Sequence, residues 1–161
     1  MPEQPPYHAY ATIVGAFLAG LGAVSGIAAV RNRPPQEVSA MELALLGLAT
    51  FKASRVVSRD KVTSFVREPF VEGEAYEGED EQPVQTGGMQ QALGELVTCT
   101  RCIGTWIGAG LATTQILAPR TGRLLTSVLA AGALNDFMLA GFAALTSKAN
   151  ELEQRTGDSS G

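Results

Sequence analysis

At 161 residues the chain has the length of one domain, and its formal charge of −4, from 12 Lys+Arg against 16 Asp+Glu, excludes a broad basic face for nucleic acid. Two cysteines are too few for the disulfide framework of a small secreted scaffold. A mean hydropathy of +0.11 conceals segregation: six acids stand between Glu72 and Glu81 with no base among them, while long tracts elsewhere carry no charge. Such blocks are what membrane helices joined by a solvent loop produce.

In chain order, the segment before Ala9 lacks the basic stretch of a cleavable signal, and the run behind it exceeds a signal's apolar core, so it reads as a retained helix. Residues 9–30 give 22 positions without a charge, enough to cross a hydrocarbon core of about 30 Å. Gly15/Ala19, Ala16/Gly20 and Gly22/Gly26 repeat a spacing of four, which lets a second helix approach closely in lipid. Residues 39–59 form a weaker span, apolar from Met41 to Phe51 apart from Glu42 and Thr50 and closing with Lys52, Arg55 and Arg59. Lys52 is expected to extend to the head groups, whereas Arg55 is expected to pair with Asp60 or with Asp136.

Between Asp60 and Phe70 the spacing of Val62, Phe65 and Val66 predicts a short amphipathic helix on the membrane surface, stopped by Pro69. Residues 71–88, rich in acids and glycine and without periodicity, read as a flexible acidic loop. Helical patterning returns at Met89 to Val97. A third span follows over residues 99–118, with Gly104/Gly108 as a small face, and residues 119–123 read as a tight basic turn. A fourth covers residues 124–147, broken only by Asn135 and Asp136, before a polar, frayed tail. The expected architecture is therefore an all-α, four-helix polytopic membrane protein, residues 1–161 forming one integral membrane domain with the acidic loop between helices 2 and 3. Seven Lys/Arg on the face with the termini against four opposite place the termini and the cysteine loop in the cytoplasm.

Cys99 and Cys102 carry the main chemical interest. Their spacing sets both thiols on the first turn of a helix, where the helix N-terminus and Arg101 favour thiolate. Three readings stand: a dithiol that cycles to a disulfide, two small residues that only pack, and half of a metal site. A metal needs about four ligands, which requires Glu95 or a second Cys-x-x-Cys pair from another copy; no cofactor is otherwise expected. Asp136 at mid-span suggests a proton or cation relay, set against a structural pair. Trp106, about one turn inside the third span, suits an interfacial anchor.

The order Arg55, Asp60, Arg67-x-Pro69-Phe70, then Glu95-Leu96-x-x-Cys99-x-x-Cys102-x-x-x-Trp106, resembles the bacterial family catalogued as domain of unknown function 1360, some of whose members are labelled sporulation proteins. The resemblance covers about residues 41–118 and implies a small multi-spanning membrane protein in which Arg55, Asp60, Arg67, Phe70, Glu95, Cys99, Cys102 and Trp106 are the positions to watch. It implies no reaction. Three functions follow as expectations: a structural or accessory subunit of a membrane assembly, whose partners are the lipid bilayer and other membrane subunits or further copies; a membrane thiol redox protein or sensor using Cys99 and Cys102; and a proton-coupled carrier using Asp136.

Overall fold

The computed structural model describes residues 5–31, 37–73 and 81–158, and it is all-helical apart from one pair of two-residue strands. Helix α1 covers Tyr7–Val30, α2 Ala40–Arg59, α3 Ser64–Arg67, α4 Met89–Thr98, α5 Thr100–Leu117 and α6 Pro119–Asp158. Local chemistry sets several of these boundaries. Pro5 and Pro6 precede α1, and a capping box starts α2: Glu42 N donates to Ser39 Oγ at 3.2 Å, and Ser39 N donates to Glu42 Oε2 at 3.0 Å.

Among the described residues, two helices are long and apolar enough to cross a membrane: α1, and α6 as far as Arg155. The 20 residues of α2 and the 18 of α5 coincide with the other two expected spans, but the charges at the end of α2 and the polar start of α5 lower their hydropathy.

Helix α2 is the centre of the packing and lies against both α5 and α6. Ala49, Leu111 and Ala130, one from each helix, are buried together, flanked by Leu45, Ile107 and Leu129. Small residues permit the approach: a Cβ on Gly108 would lie 3.3 Å from Thr50 Oγ1, and one on Gly104 would lie 3.7 Å from Ser54 Cβ. These contacts make α2 and α5 antiparallel. The Ser58 and Thr100 hydroxyls, 2.7 Å apart, tie the two helices at the end where the cysteines sit. Helix α1 is peripheral and meets the bundle at α4 and α5.

Four expectations require correction. Residues 119–123 are not a turn but the start of α6; the reversal is made at Ala118 alone, and Pro119 opens the helix, a position where its missing N–H costs nothing. The tail after Ser147 is not frayed: α6 runs to Asp158, supported by the i, i+4 pair Arg155–Glu151. The Asp60–Phe70 helix is fragmented into a 3₁₀ turn at Lys61–Thr63, the short α3, and a second 3₁₀ turn at Glu68–Phe70 that contains Pro69. Val62 and Phe65 are nonetheless exposed, as the amphipathic pattern required. Lastly, the acidic loop is anchored at its ends, because Val71–Glu72 pairs antiparallel with Gln82–Pro83; its middle, residues 74–80, lies outside the described residues.

The sharp α5–α6 reversal depends on Gly122. A Cβ there would fall 2.5 Å from Gln115 N and 2.7 Å from Thr114 C, both backbone atoms that cannot rotate away. Gly122→Ala is therefore expected to destabilise the fold by about 1–3 kcal/mol. A clear drop in melting temperature of the detergent-solubilised protein is the readout, and an unchanged melt would show that the two helices have room to separate.

Candidate functional site

The motif residues gather at one end of the bundle, around the C-terminus of α2 and the junction of α4 and α5. Helix α4 stops at Thr98 because Cys99 leaves helical conformation, with φ −90° and ψ 103°. Cys99 is then the N-cap of α5: its Sγ accepts from Cys102 N at 3.3 Å. Only Cys102 sits on the first turn, so the expectation of both thiols there is half met; a residue with extended backbone cannot share the turn. The two cysteines form a disulfide, with a Cα–Cα distance of 5.2 Å. The bond follows from the N-cap geometry, which folds the Cys99 side chain back over the helix start.

Cys102 opens on an apolar cleft of about 380 Å³ between α1 and the α4–α5 corner, lined also by Tyr10, Phe17, Glu95, Leu96 and Trp106. Helix α1 is held here by two contacts. The Tyr10 hydroxyl donates to Glu95 Oε2, and Phe17 packs edge to face on Trp106 with ring centroids 4.9 Å apart. Glu95 also accepts from Gln91 Nε2 at 2.9 Å. The cleft thus brings Glu95, Cys102 and Trp106 together. Glu95 is turned toward Tyr10 and Gln91, and among the described residues no group of three or more His, Cys, Asp or Glu side chains is placed to hold a metal.

Arg67 organises the other half of the motif. It is fully buried, and the side chain of its partner Glu81 is buried with it. Arg67 Nε and Nη2 donate to Glu81 Oε2 and Oε1 at 2.6 and 2.8 Å, a bidentate pair. Arg67 Nη1 donates to the carbonyls of Val57 at 2.8 Å and Asp60 at 3.1 Å, closing the open end of α2. Asp60 therefore meets Arg67 through its backbone, while its side chain is exposed. Phe70 contributes through its carbonyl, which accepts Val84 N at 3.0 Å and faces Gly94 so closely that a Cβ there would lie 2.5 Å away. Glu81 was not distinguishable within the acidic run, and its role in a solvated loop is corrected: it is a buried counter-ion.

The remaining expected pairing also changes partner. Lys52, not Arg55, meets Asp136: Lys52 Nζ lies 3.1 and 2.8 Å from Asp136 Oδ1 and Oδ2. The Lys52 stem runs over Gly132, whose missing side chain leaves space for it, with Lys52 Cγ and Cε 3.5 Å from where a Cβ would be. Arg55 instead turns away, its guanidinium 5.9 Å from the centroid of the Phe51 ring.

The family model described as protein of unknown function (DUF1360) matches residues 45–141, more than half of the chain. The chain belongs to the DUF1360 family. No curated protein and no solved structure matches it. The DUF1360 match holds the Arg67–Glu81 pair, both cysteines and the Lys52–Asp136 pair, but not α1. Tyr10 and Phe17, which close the cleft over Cys102, therefore come from outside the DUF1360 region, and nothing in the cysteine motif pointed to them.

Proposed function

We propose that this DUF1360 protein is a four-span integral membrane protein, with α1, α2, α5 and α6 as the spans, acting as a structural or accessory subunit of a membrane assembly. The supporting observation is α1. Of its residues only Ala9 is buried, and past Phe17 it leaves Leu18, Ile27 and Val30 exposed. Among the described residues, nothing stands within 4 Å of where a Cβ would project from Gly15, Gly20, Gly22 or Gly26. In a bilayer such a face is suited to another helix, because small residues let backbones meet. The termini and the cysteine end lie on the cytoplasmic side in this reading, where the Cys99–Cys102 bridge is a reducible state rather than a permanent staple.

A second reading has one observation in its favour, the bridged Cys99–Cys102 pair beside an apolar cleft. A partner dithiol would transfer two electrons and two protons to the disulfide, leaving two thiols here and a disulfide on the partner. One experiment separates the two. In mild detergent, Gly22→Leu/Gly26→Leu is expected to convert a larger native complex into the free chain, while Cys99→Ser leaves the complex intact. A Cys99→Ser variant that keeps the complex but loses activity, behaving in cells like a deletion, would turn the choice to thiol chemistry.

A further inference from the structure

Beside the cysteine cleft, on the adjoining face of α5 and sharing Thr105 with it, α2 and α5 form an open groove of about 820 Å³. Arg55 and Arg59 reach it from α2, and Arg101 reaches it from the first turn of α5. Among the described residues no acid lines it, in a chain whose net charge is −4. The arginines mark one end. Because the helices are antiparallel, the groove then runs toward Phe51 on α2 and Gly108 and Ala109 on α5, where the lining is apolar apart from Thr50, whose hydroxyl donates to the Leu46 carbonyl at 2.7 Å. Eight residues separate Arg59 from Phe51, about 12 Å along a helix.

We propose that this groove binds an anionic phospholipid, its phosphate on Arg55 and Arg101 and the start of an acyl chain along Phe51, Gly108 and Ala109. The shape and the charge point the same way. A guanidinium pair offers forked donors to phosphate oxygens, and the start of α5 adds the positive end of a helix dipole. Arg55 is held against the Phe51 ring, at the boundary between the cationic and apolar parts. A free inorganic anion would use the cationic end only and leave the apolar length unfilled; an amphiphile fills both. Gly104 and Gly108 line the groove without side chains where α5 lies close against Ser54 and Thr50 of α2.

The proposal rests on the membrane reading for its ligand and is independent of the thiol chemistry. Its test is native mass spectrometry of the full chain in detergent, titrated with phosphatidylglycerol or phosphatidylcholine. Wild type is expected to retain phosphatidylglycerol preferentially, and Arg55→Gln/Arg101→Gln is expected to weaken that binding by roughly tenfold or more, as removal of charge-assisted hydrogen bonds does. Arg120→Gln, an exposed arginine remote from the groove, is the control for general charge and should change nothing. Equal retention of both lipids, or a double variant that binds like wild type, would overturn the proposal. So would displacement of phosphatidylglycerol by excess inorganic phosphate, which would reveal a small-anion site. Sedimentation of the same protein with or without membranes is scored separately: a chain that stays membrane-bound but ignores lipid charge refutes the groove alone, and a chain soluble without detergent refutes the reading beneath it.

Discussion

Arg67→Ala is expected to cost about 3–5 kcal/mol, the range for removing one partner of a buried, hydrogen-bonded ion pair. The guanidinium is wholly inaccessible and donates to acceptors from two directions: the Glu81 carboxylate and the carbonyls of Val57 and Asp60. Alanine strips all of them of these donors at once and leaves a carboxylate buried without the charge that faced it. Arg67→Lys keeps the charge but not the fork, so it cannot serve Glu81 and the end of α2 together; it should fall between wild type and alanine. The double variant Arg67→Met/Glu81→Leu removes the charges as a pair and should recover most of the loss, because apolar replacement of a buried pair is often neutral. Thermal unfolding in detergent orders the three variants. Proteolysis adds a local readout, since the Val71–Glu72/Gln82–Pro83 hairpin should become cleavable in Arg67→Ala before the helices do. A double variant no better than alanine would mean that the pair specifies the hairpin's position rather than merely neutralising itself.

The same knot shows where the sequence stops being informative. Arg67 was visible through its place in a motif, but Glu81 was one acid among six between Glu72 and Glu81. Nothing local marks which carboxylate is carried inward, because the choice is made by the strand register of Val71 with Pro83. Helices α1, α2 and α5 were legible because uncharged runs, and for α1 the flanking prolines, mark them in the chain itself, whereas the Ser39–Glu42 box that caps α2 emerged only in the structure. The end of α6 was not: past Ser147 it has no continuous apolar face, and a polar helix held by pairs such as Glu151–Arg155 resembles a tail. Small-residue spacing marks a face that permits close approach but does not say whether a helix of the same chain fills it. Gly104 and Gly108 meet α2 within the chain, whereas a Cβ on Gly22 or Gly26 would meet open space. The Cys99–Cys102 spacing located a helix start to within a residue. Tyr10 and Phe17, some 85 and 89 positions from their partners Glu95 and Trp106, carry no mark that sequence reading could detect.

The Lys52–Asp136 pair gives the second large effect and decides the carrier reading. Two residues of α2, Lys52 and Arg55, offered the same charge from nearly the same face, and it is Lys52 whose stem passes over Gly132 to reach α6. Phe51 and Phe137, the sequence neighbours of Lys52 and Asp136, stack with ring centroids 5.2 Å apart and add to the ion pair a second contact between α2 and α6. The pair is part-exposed, at 25% and 37% for the two side chains, but in a bilayer that exposure is to lipid or protein rather than to bulk water. Asp136→Leu and Lys52→Met are therefore each expected to destabilise the chain by about 1–3 kcal/mol, below the buried Arg67 case but well above a surface ion pair. Lys52→Met/Asp136→Leu should return close to wild type, since no unpaired charge remains. Resistance to unfolding by increasing denaturing detergent compares the four proteins under one condition. A structural pair requires that recovery. A proton relay requires the opposite pattern in function: an acid at 136 would be indispensable even when the double variant is fully folded. If the double variant is stable but cells expressing it behave as if the gene were absent, Asp136 does more than hold α6 to α2. If it is stable and active, the ion pair is a fastening between two helices, and the carrier reading loses the one residue on which it was built.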